Sequence, residues 1–250
     1  MGSTTVDPAT WEDEFTFLVT GFGPFTSRYP VNPSWEIARA LPPFLPPPSS
    51  SSSTSSSSAS PIPHPRVRIL VHPEPIKVAY KNVRELVPKL WERSGGPKLD
   101  FVLHIGMASG RAYYSAERLA HRDGYAMRDV DGELLKDEEK KGEEFFWHGL
   151  PEKIETMVDV DEIWRGWKKS LPNCDIKVSE DPGRYLCDFI YYSSLAHLYR
   201  KNEDRRVLFL HVPVDNDPAS IKVGVEVTIE LIRAVVQNLK TKQAEKQASV

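Results

Sequence analysis

The segment "DIKVSEDPGRYLCDFIYYSSLAHL" (residues 175–198) carries the pattern from which the fold of the chain is predicted. Residues 175–179 are typical of a short strand, and the Asp181-Pro182-Gly183 sequence that follows favours a turn. The aromatic-rich run after the turn has the length of a helix. A strand, a turn and a helix in succession are the repeating unit of α/β folds.

The same alternation of strand and helix patterns extends along most of the chain. Strands are predicted at residues 15–25, where the strand runs into a glycine loop, and at 66–72, 100–106, 175–179 and 206–214. Helices are predicted at residues 31–43, at 76–93, at 152–171, directly after the 181–183 turn, and at 219–240. The second is expected to be kinked or broken near Pro88, and the segment 152–171 is expected to form one or two helices. The alternation predicts an α/β fold, a three-layer open sandwich with a mostly parallel sheet and helices on both faces.

Composition sets limits on the class of protein. The chain has 250 residues, 40% hydrophobic residues and a net charge of −3, so its bulk charge attracts neither nucleic acid nor an anionic membrane. The amino terminus lacks the pattern of a secretory signal, and no apolar run is long enough to cross a membrane. Two cysteines do not make a disulfide framework, and we therefore predict a cytoplasmic protein with free thiols.

A low-complexity segment interrupts the pattern at residues 44–65, which are rich in proline and serine. It has little apolar surface to bury, so we predict a disordered insertion within a single domain that spans residues 1–250 and has flexible termini. A phosphorylated or partner-binding segment is the alternative. Residues 131–144 alternate acidic and basic side chains, which is typical of a solvated excursion.

In a sheet of this kind, functional sites form where the strands end at their carboxyl edges. Three groups lie there in the predicted arrangement: the 21–25 loop, the 106–111 loop, and His211. These groups are the starting point for assigning a chemistry.

Cofactor chemistry is poorly supported by the motifs. The 21–25 loop has Gly21 and Gly23, but Thr26 stands where a dinucleotide-binding fingerprint needs a third glycine. The sequence "GMASGR" (residues 106–111) lacks the Lys-Ser/Thr ending of a phosphate-binding loop. The histidines show no zinc-like spacing with either cysteine. We therefore predict no cofactor and no metal.

Nucleophilic catalysis fits the pattern better. Cys187 falls near the start of a predicted helix, where the partial positive charge lowers the pKa of a thiol. His211 ends the next strand and is a candidate proton acceptor, and Glu117 is a candidate to orient the imidazole. The pattern alone leaves open a second interpretation, in which Cys187 fills the core and His211 is a satisfied polar residue.

Four motifs in order resemble one known family. They are "TGFGPF" (20–25) followed by "VNPSWE" (31–36), "HIGMASGR" (104–111) with "AERLAH" (116–121), "DPGRYLCDFIYYSSL" (181–195), and "FLHVPV" (209–214). Together they resemble the pyroglutamyl peptidase I family, the pyrrolidone-carboxylate peptidases, and the third is similar to the nucleophile motif of its animal branch. The resemblance covers most of the chain and points to the eukaryotic cytosolic type.

The resemblance implies an activity and a set of catalytic residues. It implies a cysteine omega-peptidase without a cofactor that hydrolyses the N-terminal pyroglutamyl residue of peptides through a thioester. The implied triad is Cys187, His211 and Glu117. The oligomeric state is left open, because relatives differ in it.

The resemblance also implies an apolar substrate pocket. Phe22 and Phe25 are expected to flank the lactam ring, and Tyr185 and Leu186 to line the pocket beside the nucleophile. Met107 stands where bacterial relatives carry a glutamine that contacts the lactam, so the lactam contacts are expected to fall to backbone groups. The alternative is that these aromatic residues belong to the core.

Other residues depart from the pattern or lie outside it. Thr26 replaces a common glycine, and Arg128 lies near a position where bacterial relatives place an arginine by the scissile carbonyl. Cys174 is interpreted as structural and His104 as a buried hydrogen-bonding residue.

Met107 also motivates an alternative function, a catalytically weak relative that binds pyroglutamyl peptides or a protein partner. A third interpretation is a phosphorylase-like enzyme, which would require phosphate.

Overall fold

The computed structural model describes residues 14–48, 66–92, 96–136 and 146–248. These ranges form eight strands and five helices. In chain order they are β1 (Glu14–Gly21), α1 (Pro33–Arg39), β2 (Arg66–Val71), α2 (Tyr80–Trp91), β3 (Phe101–Met107), β4 (Tyr114–Glu117), β5 (Leu119–His121), β6 (Lys153–Glu155), α3 (Val160–Ser170), β7 (Ile176–Ser179), α4 (Leu186–Arg200), β8 (Val207–Val212) and α5 (Pro218–Ala248).

The main sheet has six strands in the order β2-β1-β3-β8-β4-β7. Every neighbouring pair in it is parallel except β4 and β8, which run antiparallel. Strands β5 and β6 form a separate antiparallel pair. The mostly parallel sheet that the sequence predicts is therefore confirmed.

Helices cover both faces of this sheet, which confirms the three-layer arrangement. One hydrophobic core joins the sheet to α1, α3 and α5, and a second joins it to α2 and α4. Along β1, Phe17 and Val19 enter the first core whereas Leu18 enters the second. Successive side chains of a strand point to opposite faces, and a parallel sheet covered on both faces buries both sets.

Helix α1 begins as its sequence predicts. Asn32 is the N-cap and its side-chain oxygen accepts the Ser34 N–H at 3.1 Å, while Pro33 occupies the first helical turn. A cap of this kind satisfies an N–H that has no partner within the helix. The same turn also holds the loop that follows β1.

Helix α2 differs from the prediction. It begins at Tyr80 rather than near residue 76 and continues through Pro88 to Trp91, so of the two predicted alternatives, a kink or a break, the break is wrong. Pro88 lies in the last turn of α2 and has no N–H to donate to the carbonyl four residues earlier, so the helix lacks that one hydrogen bond. The N–H of Glu92 bonds the Pro88 carbonyl and closes the helix.

The segment 152–171 is only partly helical. Residues 153–155 form β6 and pair with β5, and helix α3 occupies residues 160–170 alone. Asp159 caps α3 by accepting the Glu162 N–H at 2.9 Å. The sequence also assigns no strand to β4 or β5, whose three or four residues are held by tertiary pairing rather than by local propensity.

The beginning of the predicted insertion is ordered against the sheet. Phe44 bridges Arg68 of β2, and the Leu45 N–H donates to the Val67 carbonyl at 2.9 Å. The rest of the insertion, residues 49–65, lies outside the described residues, as do both termini and residues 137–145. Among the described helices, none is both long and apolar enough to cross a membrane.

Candidate active site

Strand pairing brings Glu117 and His211 together. On β8, His211 lies opposite Gly106 of β3 on one side and Ser115 of β4 on the other. Glu117 is two residues beyond Ser115 and therefore points to the same face of the sheet. His211 Nδ1 lies 2.8 Å from Glu117 Oε1, and both side chains are buried.

Three donors meet the Glu117 carboxylate at Oε1. Besides His211, the Ser115 hydroxyl donates at 3.0 Å and the Arg111 guanidinium at 2.6 Å. Burial pushes the pKa of Glu117 up, but the hydrogen bond and charge of His211, together with the charge of Arg111, outweigh it and hold that pKa below its ordinary value. Glu117 is therefore ionised at neutral pH.

An ionised carboxylate only accepts hydrogen bonds, so it fixes the tautomer of His211. Nδ1 carries the proton and donates to Glu117, which leaves Nε2 as an acceptor. Burial lowers the pKa of His211 below its ordinary value, although Glu117 acts in the opposite direction. At neutral pH His211 is a neutral imidazole with a free lone pair.

Cys187 is the second residue of α4, directly after the 181–185 turn. A β-carbon at Gly106 would lie 2.8 Å from Cys187 Sγ and 2.5 Å from the ring of Phe209, so only glycine fits between them. Gly106 is also the strand neighbour of His211. The sulfur therefore reaches the sheet at the position beside His211, as the sequence predicts.

The prediction of a lowered thiol pKa is wrong. Burial raises the pKa of Cys187 to about 12, and the nearby carboxylates of Glu117 and Asp188 act in the same direction. Arg111 opposes them only in part. The partial charge of a helix N-terminus is worth about 1 kcal/mol or less at an exposed site, and desolvation of the thiolate outweighs it here.

Cys187 lines a small cavity together with seven other residues. The cavity is lined by Phe22, Phe25, Asn32, Val78, Met107, Tyr185, Leu186 and Cys187. All five residues predicted to line a substrate pocket are present, so the structure gathers them beside the thiol. Asn32 and Val78 also line the cavity, although the sequence did not predict them there.

The β1 loop is held at this cavity by the first turn of α1. Phe22 N–H donates to the Ser34 hydroxyl at 3.0 Å, and the Asn32 amide donates to the Gly23 carbonyl at 3.0 Å. Phe22 is buried, whereas Phe25 is partly exposed and lies 6.4 Å from Tyr185 between ring centroids. The capping residues of α1 therefore also fix the aromatic wall of the cavity.

Arg128 does not line this cavity. Its guanidinium donates to the Gly132 carbonyl at 2.7 Å, and its backbone carbonyl accepts the Tyr185 hydroxyl at 3.2 Å. The hydrogen bond between Arg128 and the cavity residue Tyr185 therefore comes from the backbone of Arg128 and not from its guanidinium.

Two further residues singled out in the sequence lie apart from the cavity. Cys174 packs against the core of α1, α3 and α5, on the opposite face of the sheet from Cys187. His104 is fully buried between the hydroxyls of Thr20 and Ser194, at 2.7 and 2.8 Å. Both positions agree with the structural roles that the sequence suggests.

Sequence reasoning assigned no role to Arg111, Ser115 or Asp188. Asp188 follows the cysteine, is fully buried, and accepts the His121 N–H at 2.9 Å, which ties the start of α4 to β5. Ser115 and Glu117 are two residues apart, so recognition of β4 as a strand would have placed them on one face. Arg111 ends the quoted motif at residues 104–111, but its bond to the Asp181 carbonyl joins segments 70 residues apart and had no signal in the sequence.

Comparison with known proteins gives a consistent result. The family model of pyroglutamyl peptidases matches residues 68–241. Pyroglutamyl-peptidase 1 of Rattus norvegicus is 30% identical over 196 residues, which cover 78% of each chain, and the Homo sapiens protein of that name is 28% identical over the same shares. A mutant pyrrolidone carboxyl peptidase from Pyrococcus furiosus superposes with a TM-score of 0.66 at 21% identity, over 90% of this chain and 100% of that one.

Proposed function

The chain belongs to the pyroglutamyl peptidase family and is a cysteine peptidase of this type, and we propose that it removes N-terminal pyroglutamate through Cys187, His211 and Glu117. The observation that carries the proposal is that Cys187 lines the cavity of the five expected pocket residues, while its sulfur lies 2.8 Å from the point where a β-carbon on Gly106, the strand neighbour of His211, would stand. The peptide substrate class follows from the family.

The protonation states support a general-base mechanism. Cys187 and His211 both start neutral, so Nε2 of His211 takes the thiol proton while the sulfur attacks the pyroglutamyl carbonyl carbon. The C–N bond of the tetrahedral intermediate then breaks, and the imidazolium gives its proton to the leaving amine. Water attacks the resulting thioester with His211 again as base, which releases pyroglutamate and restores the thiol.

Glu117 and the start of α4 stabilise the charges that develop. The Glu117 carboxylate stabilises the imidazolium, because Nδ1 already donates to it at 2.8 Å. The first N–H groups of a helix have no intrahelical acceptor, and the N–H of Cys187 is one of them in α4. It is suited to donate to the oxyanion, an interaction typically worth about 3 kcal/mol.

The apolar lining supports selection of a neutral lactam. The cavity is lined by the apolar side chains of Phe22, Phe25 and Leu186, which carry no negative charge. An ordinary N-terminal ammonium group would therefore be buried there without an ion-pair partner, at a cost of several kcal/mol. Each ~1.4 kcal/mol is about a factor of ten in discrimination. Met107 offers only a weak sulfur acceptor, so we assign the lactam hydrogen bonds to backbone groups.

Hydrolysis of a fluorogenic pyroglutamyl amide under reducing conditions tests the proposal. We expect turnover by the wild type, none by Cys187→Ser, and wild-type turnover by Cys174→Ser, because Cys174 lies on the other face of the sheet. The matching glutamyl amide, with a free ammonium, should react at least 100-fold more slowly. Activity of Cys187→Ser would refute the assigned nucleophile.

Met107 and the neutral thiol favour one alternative, a catalytically weak protein that binds pyroglutamyl peptides. Wild-type protein that binds a pyroglutamyl peptide in calorimetry without hydrolysing it would support this alternative. Phosphate-independent turnover would eliminate the phosphorylase-like interpretation. A cytoplasmic location and the lack of nucleic-acid and membrane partners stay predictions from the sequence.

A further inference from the structure

Arg111 connects two parts of the site that are distant in sequence. One guanidinium nitrogen, Nη1, donates to Glu117 Oε1 at 2.6 Å and to the Ser115 hydroxyl at 2.7 Å. The other, Nη2, donates to the backbone carbonyl of Asp181 at 2.6 Å. The side chain is 20% exposed, so solvent screens these contacts only in part.

The two partners of Arg111 belong to different halves of the proposed triad. Glu117 orients His211 at the β4–β8 pair, whereas Asp181 lies in the turn from which α4 and Cys187 emerge. That turn has hydrogen bonds of its own, because the Asp181 carboxylate accepts the Gly183 N–H at 3.1 Å and the Arg184 guanidinium at 2.7 Å. A displacement of Asp181 would therefore be passed on to the start of α4.

We propose that Arg111 is a positioning residue that fixes the distance between the Glu117–His211 pair and Cys187 by bridging Glu117 to the Asp181 carbonyl. The inference rests on the proposed function. A planar guanidinium donates from two nitrogens in a fixed fork, whereas a lysine ammonium is a point charge on a flexible stem. Charge alone would therefore not replace the bridge.

Arg111 also acts on His211 through its charge. Burial lowers the pKa of His211 most; Glu117 and Asp181 raise it, and Arg111 lowers it. Cys187 Sγ approaches from α4 at Gly106, the strand neighbour of His211. Loss of the guanidinium charge should therefore raise the pKa of His211. The acid limb of kcat/KM would then move to higher pH, since His211 must be neutral to act as a base.

Two variants separate the bridge from the charge. Arg111→Met removes both, and we expect kcat to fall about 100-fold or more with KM nearly unchanged and the acid limb displaced to higher pH. Arg111→Lys keeps the charge, and we expect kcat to fall about tenfold with the acid limb in place. Arg118→Met is the matched control, since Arg118 pairs with Asp161 and Glu180, and its kcat should stay within about twofold.

Titration of His211 by NMR in substrate-free protein keeps this test independent of turnover. An unchanged His211 titration and unchanged kcat in Arg111→Met would overturn the proposal. If Arg111→Met does not fold, Arg111→Lys provides the test. A kcat of Arg111→Lys equal to that of the wild type would also overturn the proposed bridge. Failure of the proposed function would give a different result: the wild type would show no turnover, or Cys187→Ser would be active.

Discussion

At the scale of single residues, the neutral state of Cys187 and His211 determines how the site should respond to pH. Burial raises the pKa of the thiol and lowers that of the imidazole, so neither group is charged in the free protein near pH 7. Cysteine enzymes that hold a preformed thiolate–imidazolium pair carry thiol pKa values of about 3.5–7.5. This site should behave differently.

We expect kcat/KM to rise as His211 loses its proton below pH 6.5 and then to stay level from about pH 7 to pH 9. The rate of Cys187 alkylation by iodoacetamide should keep rising through pH 9, because the fraction of thiolate grows across that whole range. Alkylation stopped at set times and followed by mass spectrometry measures this rate. The Cys174→Ser variant is used so that Cys187 is the only thiol that reacts. An alkylation rate that is already constant above pH 7 would contradict the neutral pair.

The identity of the proposed catalytic residues was available from the sequence, but their electrostatics was not. Cys187, His211 and Glu117 could be named from ordered motifs, since each motif is a local string. The pKa of Cys187 depends on burial and on Glu117, which is 70 residues away in sequence. A helix start alone therefore predicted the wrong direction.

At the scale of elements, the close approach of α4 to β3 depends on Gly106. A β-carbon there would lie 2.5 Å from the Phe209 ring and 2.8 Å from Cys187 Sγ, distances that require the side chain of Phe209 or Cys187 to shift. We expect Gly106→Ala to lower stability by about 1–3 kcal/mol, as overpacking typically does. It should also reduce kcat at least tenfold, because the sulfur would move relative to His211.

Gly110→Ala is the matched control for this change. Gly110 lies four residues further along the same segment, and an added β-carbon would meet nothing within 4 Å. Urea unfolding and kcat measured side by side for the two variants provide the comparison. Equal stability and equal kcat for both would mean that α4 tolerates displacement from β3.

Long elements with clear periodicity were predictable, and so was the short strand β7, but the short strands β4, β5 and β6 were not. The apolar runs of β1, β3 and β8 and the capped start of α1 are local signals. Strands β4, β5 and β6 have three or four residues each and exist because neighbours pair with them. Glu117 lies on β4, so its contact with His211 depends on the pairing of β4 with β8. No local sequence pattern specifies that pairing.

At the scale of the whole molecule, His104 connects three elements through a chain of hydrogen bonds. It lies on β3, between Thr20 of β1 and Ser194 of α4, and is fully buried. A neutral imidazole supplies one donor and one acceptor, which the two hydroxyls satisfy. Burial lowers its pKa from the ordinary 6.5 to about 3, so folded protein keeps it neutral.

This difference makes stability depend on pH. Between about pH 6.5 and pH 3 the unfolded chain binds a proton at His104 that the folded chain excludes, so the free energy of unfolding falls as pH falls. The contribution is fully present above pH 6.5 and is lost at about 1 kcal/mol per pH unit below it. His211 acts in the same direction, so a variant is needed to isolate His104.

His104→Gln supplies that comparison, because an amide offers a donor and an acceptor to the two hydroxyls and does not titrate. We expect it to be less stable than wild type at pH 7 but to lose stability more slowly from pH 6 to pH 4, by roughly 1 kcal/mol per pH unit. Urea unfolding at pH 4, 5, 6 and 7 measures both slopes, with His148→Gln, at an exposed position, as the control. Parallel curves for wild type and His104→Gln would mean that the Thr20–His104–Ser194 chain accepts a proton in the folded state, and the neutral link between β1, β3 and α4 would have to be abandoned.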